Sequence, residues 1–172
     1  MGEKKRLGVG VISLGWMGRL HTRSYKAVAE YFPELGVEVE LVAAADPIDS
    51  VREEATGKLG FKRAYADYHE LLADPEVDIV SIASPNFLHK EIALAAIAAG
   101  KPFWIEKPMG VSAEQSREIA QAAEKAGLVS AVGFNYRHTP AIEYMRTLVR
   151  EGKLGRLTNV RVWFIADYNS SP

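Results

Sequence analysis

The sequence predicts a doubly wound α/β fold, a mostly parallel sheet covered by helices on both faces. Three observations carry that expectation. Short, flat apolar runs alternate along the chain with longer helical patterns. The first apolar run ends in a glycine-containing turn that opens directly into a helix. Helix ends are marked by capping residues and glycines. Strands that alternate with helices need crossover connections, and crossovers of one hand bring helices onto both faces of a parallel sheet. With 172 residues, 48% of them hydrophobic and 25% charged, the chain is long enough to bury a core without covalent staples.

Residues 7–13 (LGVGVIS) are a short apolar run stopping at the turn, and residues 37–46 (VEVELVAAAD) pass from period-two alternation to continuous apolar character. Both read as strands. Residues 77–83 (VDIVSIA), 102–105 (PFWI) and 128–133 (LVSAVG) have the length of strands buried on both faces, and 61–65 is a weaker candidate. Helical patterns cover 16–31, a short stretch after Ser50, 87–99, 112–126 and 140–151. Ser50 with Glu53 and Ser112 with Gln115 fit the capping box, while Gly100 and Gly127 stand where a left-handed helix end is wanted. The alternation ends near Gly133. Residues 158–165 (TNVRVWFI) alternate in the manner of a strand with one buried face. The expected organisation is therefore a doubly wound domain over 1–133, the one that carries the dinucleotide motifs set out below, with 134–172 supplying a linker helix and the first strand of a truncated α+β second domain.

Lys and Arg number 21 against 22 Asp and Glu, a net charge of −1 without a long basic run, so neither nucleic acid nor an anionic membrane is an expected partner. Small molecules are. The absence of cysteine excludes disulfides, thiolate nucleophiles and cysteine-ligated metals. The longest apolar stretch, 92–99, falls far short of the roughly 18 residues of a membrane span. The charged start, 1–6, is unlike a signal peptide, and a cytoplasmic protein is expected. His69-Glu70 lacks the second histidine of a zincin helix, Gly57-Lys58 lacks the flanks of a phosphate loop, and the segment from Gly10 to Gly15 misses a nucleophile elbow by one residue. No metal site is expected.

The turn Ser13-Leu14-Gly15-Trp16-Met17-Gly18 is the dinucleotide fingerprint with serine for its first glycine. Gly15 leaves room for a pyrophosphate to approach the backbone, Gly18 permits close helix–strand packing, and the helix aims its free N–H groups at phosphate. The plainer reading is an ordinary strand-to-helix turn. Asp46, 28 positions past Gly18, ends the second strand, where a carboxylate accepts the adenosine ribose hydroxyls and repels a 2′-phosphate; this favours NAD and leaves NADP possible. Asp46-Pro47 is equally a common turn opening. Ser84, Pro85 and Asn86 follow the fourth strand at the edge where such sheets bind ligands, with His89 one turn on. Asn86 is also expected to cap the next helix, and for His89 alone a structural role is the plainer reading. Glu106, Lys107 and Pro108 follow the fifth strand at that same edge. Successive side chains point to opposite faces, so Glu106 does not neutralise Lys107. A lysine beside a cationic nicotinamide loses its proton more readily and can exchange it with a substrate hydroxyl; the plain alternative is a solvated strand end.

In order and context, VISLGWMGRLH, AADP, SPNFLH, AGKPFWIEKPMG and VGFNYRHTPAIEYM resemble the Gfo/Idh/MocA oxidoreductases over nearly the whole chain. The EKP triplet after an SPNxxH segment is the specific part. The resemblance implies an NAD(P)-dependent oxidoreductase that moves a hydride between a nicotinamide and a sugar or cyclic polyol. It implies Lys107 beside nicotinamide and substrate, and cofactor contacts from Ser13, Gly15, Trp16, Met17, Gly18, Asp46, Ser84, Pro85, Asn86, His89, Glu106 and Lys107. It further implies that Asn135 and Arg137 reach the substrate side, that the Lys107–Pro108 bond is cis, and that the full-length protein is a homo-oligomer. A typical family member is about twice this length, so the chain corresponds to the cofactor-binding half, inactive alone. A non-catalytic dinucleotide-binding regulator on the same fold is the alternative.

Overall fold

The computed structural model describes residues 5–165. The chain divides into two compact units, Met1–Gly133 and Phe134–Pro172. In the first, six strands form one parallel sheet: β1 (Lys5–Ile12), β2 (Val37–Ala45), β3 (Arg63–Tyr65), β4 (Ile79–Ile82), β5 (Phe103–Ile105) and β6 (Ser130–Val132), in the order β3-β2-β1-β4-β5-β6. Five helices connect them: α1 (Trp16–Tyr31), α2 (Asp49–Glu54), α3 (Tyr68–Ala73), α4 (His89–Ala98) and α5 (Ala113–Lys125). The strand order reverses between β1 and β4, which leaves a crevice at the carboxyl ends of the strands.

The central strand is buried on both faces. Val9 and Val11 belong to a core with Leu14, Leu41, Ala44, Ala55 and Phe61. The other face packs Val80, Ile82, Ile92, Ile105 and Ile119, among others, into a second core. Gly8 and Gly10 allow the neighbouring segments to come close: a Cβ at Gly8 would stand 1.9 Å from the Glu76 carbonyl oxygen, and one at Gly10 2.7 Å from Leu71 Cδ2.

Most of the expected punctuation forms. Ser112 Oγ accepts from the Gln115 N–H at 3.3 Å, and Gly100 and Gly127 take φ of 68° and 65° at the ends of their helices. The box at Ser50 does not form. Pro47 turns the chain, Asp46 Oδ1 accepts from the Ile48 N–H at 3.1 Å, and α2 starts at Asp49 with Ile48 in the cap position. Asn86 is likewise no cap; it opens a short 3₁₀ turn, Asn86–Leu88, behind Pro85, and α4 begins at His89. Helix α3 was not anticipated from the sequence. It is capped by Asp67, whose carboxylate accepts from the His69 N–H at 2.9 Å.

In the second unit a 3₁₀ turn, Asn135–His138, leads into α6 (Pro140–Arg150), none of whose residues is buried. The strand expected over 158–165 is not formed. A strand exists only through a neighbour that shares its ladder, and none of the described residues pairs with this segment. Val162 and Ile165 are 81% and 91% exposed, while Tyr136 and Phe164 meet edge to face at 5.7 Å. The remainder of 134–172, residues 166–172, lies outside the described residues.

Ser13 is the one described non-glycine residue at positive φ, 70°. Its N–H donates to the Ala45 carbonyl at 2.7 Å, which fixes the β1–α1 turn against the end of β2. Left-handed backbone costs an L-residue about 1–2 kcal/mol, offset in a glycine replacement by about 0.5–1 kcal/mol of extra unfolded-state entropy. Ser13→Gly is therefore expected to raise the unfolding free energy by about 0.5–1 kcal/mol in urea titration. A loss of stability would mean that the serine side chain, not the backbone, holds the turn.

Candidate dinucleotide site

A cavity of about 610 Å³ opens at the carboxyl ends of β1 to β4. The β1–α1 turn supplies Ser13, Leu14, Gly15, Trp16 and Arg19; the end of β2 supplies Asp46, Pro47 and Ile48; Tyr68 stands beyond β3; and Ser84, Pro85 and Leu88 follow β4. Of the residues singled out in the sequence, the cavity brings together Ser13, Gly15, Trp16, Asp46, Ser84 and Pro85. Met17, Gly18, Asn86, His89, Glu106 and Lys107 are not in its wall.

The features that fit a dinucleotide are physical. Gly15 caps α1 without a side-chain bond, no acidic residue occupies the first turn, and a Cβ on Gly15 would meet nothing within 4 Å. The first N–H groups of α1 and the positive end of its dipole are thus open to an anion. Gly18 acts from behind: a Cβ there would stand 1.9 Å from the Ser13 carbonyl oxygen, so only glycine lets the helix approach the strand. Asp46 is 6% exposed and its Oδ2 accepts from the Leu14 N–H at 2.9 Å, which fixes the carboxylate at the mouth of the turn with lone pairs to spare for hydroxyls. Ser84 Oγ is buried without a hydrogen-bond partner among the described residues. A buried hydroxyl of that kind wants a ligand or water. Burial, then the hydrogen bond to Glu91, pushes the Tyr68 hydroxyl above its usual range, keeping it a donor.

Beyond β4 the arrangement changes from cradle to brace. His89, 1% exposed, sets Nδ1 2.8 Å from the Pro108 carbonyl and Nε2 2.9 Å from the Ser84 carbonyl, so it joins the loops after β4 and β5 instead of facing the cavity. Glu106 is also turned inward: Oε1 lies 3.0 Å from His21 Nε2, and Oε2 accepts from the Lys107 N–H at 3.2 Å. Gly133 makes space for that carboxylate, since a Cβ there would meet Oε1 at 2.7 Å. Lys107 is exposed, and the Lys107–Pro108 bond is cis.

His21 is the residue the sequence reading missed. Its Nε2–H donates to Glu106, leaving Nδ1, 2.6 Å from Ser81 Oγ, to accept from that hydroxyl; the tautomer follows from the partners. Tyr25, raised above its ordinary range by burial, meets Ser81 from the other side. The signal lay in spacing. His21 and Tyr25 are one turn apart beside the buried Gly18 and Thr22, so polar side chains recur on the inward face of α1.

Parallel strands in this order, opening at their switch point on an uncapped helix N-terminus, define the class of dinucleotide-binding α/β domains. Within that class, residues 7–134 match the Gfo/Idh/MocA oxidoreductase family, NAD-binding Rossmann fold, and the chain belongs to it. It is 36% identical over 171 residues to levoglucosan dehydrogenase of Pseudarthrobacter phenanthrenivorans, a match covering 98% of this chain and 43% of that protein. Myo-inositol 2-dehydrogenase of Thermotoga maritima is 29% identical over 154 residues, 90% of this chain and 44% of the relative. Among solved structures, levoglucosan dehydrogenase in complex with NADH and levoglucosan superposes with a TM-score of 0.84 at 35% identity, over 88% of this chain and 41% of that one. An NAD-binding oxidoreductase from Klebsiella pneumoniae gives 0.83 at 43% identity, over 87% and 40%. The chain therefore spans less than half the length of these relatives. No helix among the described residues is long and apolar enough to cross a membrane.

The side chains of His21 and Glu106 are 12% and 10% exposed, so truncating the imidazole strands a buried carboxylate. His21→Ala is expected to cost about 2 kcal/mol of unfolding free energy, and Glu106→Gln, which keeps the shape and a hydrogen-bonding group, distinctly less. Urea titrations of both check the order. If the two costs are equal, the carboxylate's charge is not what His21 answers.

Proposed function

We propose that this chain is the cofactor-binding half of an NAD-dependent oxidoreductase that transfers a hydride between the nicotinamide and a hydroxyl-bearing carbon of a sugar or cyclic polyol. The observation that carries the proposal is the cavity at the switch point, where the open N-terminus of α1, Asp46 and Ser84, whose buried hydroxyl has no partner among the described residues, line one space. The α1 N–H groups would hold the pyrophosphate, Asp46 the adenosine ribose and Ser84 a polar group along the dinucleotide. When bound, the nicotinamide supplies the acceptor or donor of the hydride.

Lys107 is the residue proposed to manage the proton. It stands at the end of β5, its own N–H held by Glu106 and the following carbonyl by His89, so two buried side chains fix the backbone from which it projects. Its ammonium exchanges a proton with the substrate oxygen at Nζ, where a neighbouring cationic ring would favour release. The sugar and polyol class rests on the names of the relatives above. The second unit, from Phe134 onward, is proposed to begin the substrate and dimerisation domain of the full-length protein.

The test uses the full-length protein with NAD and a panel of levoglucosan, inositols and related polyols. Turnover of at least one is expected, and Lys107→Ala should lower kcat by about 10²–10⁴-fold while changing dinucleotide affinity much less. Turnover that survives within a few-fold would move the proton to another residue; NAD binding without turnover on any of the panel would leave a binding protein.

A further inference from the structure

Two guanidinium groups, one in the wall of the cavity and one on the main chain of Asp46, are each taken up by a carboxylate of α2. Arg19, in the cavity wall, donates through Nε to the Leu14 carbonyl at 2.9 Å and through Nη2 to Glu54 Oε2 at 2.7 Å. Arg52 donates through Nη1 to the carbonyl of Asp46 itself at 2.8 Å and through Nη2 to Asp49 Oδ1 at 2.5 Å. Arg52 therefore touches the main chain of Asp46, and Arg19 the Leu14 carbonyl of the turn that Asp46 holds. Arginine is the side chain that binds a phosphate in two-pronged fashion. Unlatched, either would be a ready partner for a 2′-phosphate.

We infer that Glu54 and Asp49 determine cofactor specificity by holding Arg19 and Arg52 away from the adenosine 2′ position, so that discrimination against NADP is shared among three carboxylates instead of resting on Asp46 alone. The inference rests on the dinucleotide reading of this cavity. Two effects add. Each carboxylate contributes repulsion toward a doubly charged phosphate, and each occupies the donors that would otherwise answer it. The pairs are partly solvated, with Glu54 29% and Asp49 86% exposed at the side chain, so they contribute little to stability and can be altered without disturbing the core. Their influence on a nearby anion remains, because exposed charges act over about a Debye length, roughly 8 Å at physiological salt.

Calorimetric titration of the chain with NAD and NADP tests this without any need for turnover. The wild type should prefer NAD. Glu54→Gln with Asp49→Asn should raise the ratio of NADP to NAD affinity about tenfold, the scale expected from removing two unit charges near a phosphate and freeing two donors. Adding Arg19→Ala and Arg52→Ala to that variant should reverse most of the gain, while thermal melts report whether each variant remains folded. A ratio within twofold of the wild type, with NAD still bound, would overturn the inference and leave the dinucleotide reading standing. A gain that persists without the arginines would overturn it as well. A wild-type chain that binds neither dinucleotide would remove the reading on which the inference rests.

Discussion

The hydrogen bond from the Leu14 N–H to Asp46 Oδ2, 2.9 Å long and buried, joins the two turns between which the cavity opens. It depends on the register of β1 against β2, which brings Ile12 beside Ala45, and on the Ser13 N–H donating to the Ala45 carbonyl one step earlier. The other carboxylate oxygen takes the Ile48 N–H and so starts α2. One side chain thereby sets the shape of the turn after β1, the exit of the chain from β2 and the position of a carboxylate at the corner proposed for the ribose. A buried carboxylate is costly unless hydrogen-bonded, and here two backbone donors meet that cost while leaving further lone pairs for a ligand.

Across the switch point the same edge of the sheet serves a different purpose. There the polar side chains look inward: His89 ties the loop after β4 to the loop after β5, and the chain Ser81–His21–Glu106 connects α1 through β4 to the backbone of Lys107. Helix α1 therefore belongs to both halves, presenting its N-terminus to the cavity and its inward face to Glu106.

The fold was largely legible because periodicity and punctuation agree. Apolar runs too short for helices, each followed by a helical pattern, leave few topologies, and Gly18 marks where a helix approaches a strand too closely for a Cβ. What escaped notice was decided by contacts distant in sequence. Helix α3 is only six residues long, with a polar cap in Asp67-His69-Glu70 that was legible but unread. The start of α2 was displaced by the turn built on Asp46 and Pro47. Residues 158–165 carry the alternation of a strand, yet alternation specifies a face, not a partner, and no described residue supplies the partner.

The candidate site divides along the same line. Gly15 and Gly18, which act through the backbone, were readable from spacing, and Asp46 from its place at the end of the second strand. Those whose task depends on tertiary neighbours were not. Glu106 and His89 were recognised as residues of interest, but their inward orientation needed the structure, and His21 was passed over because a histidine within a helix announces nothing by itself. The proposal that a dinucleotide is held by the open end of α1 between Asp46 and Ser84 is tested most directly by titrating the isotope-labelled chain with NADH and following the backbone amides by NMR. The largest, saturable shifts are expected at Gly15, Trp16 and Met17, at Ile48 and at Ser84; shifts concentrated elsewhere, or none at saturating NADH, would place the ligand outside this cavity.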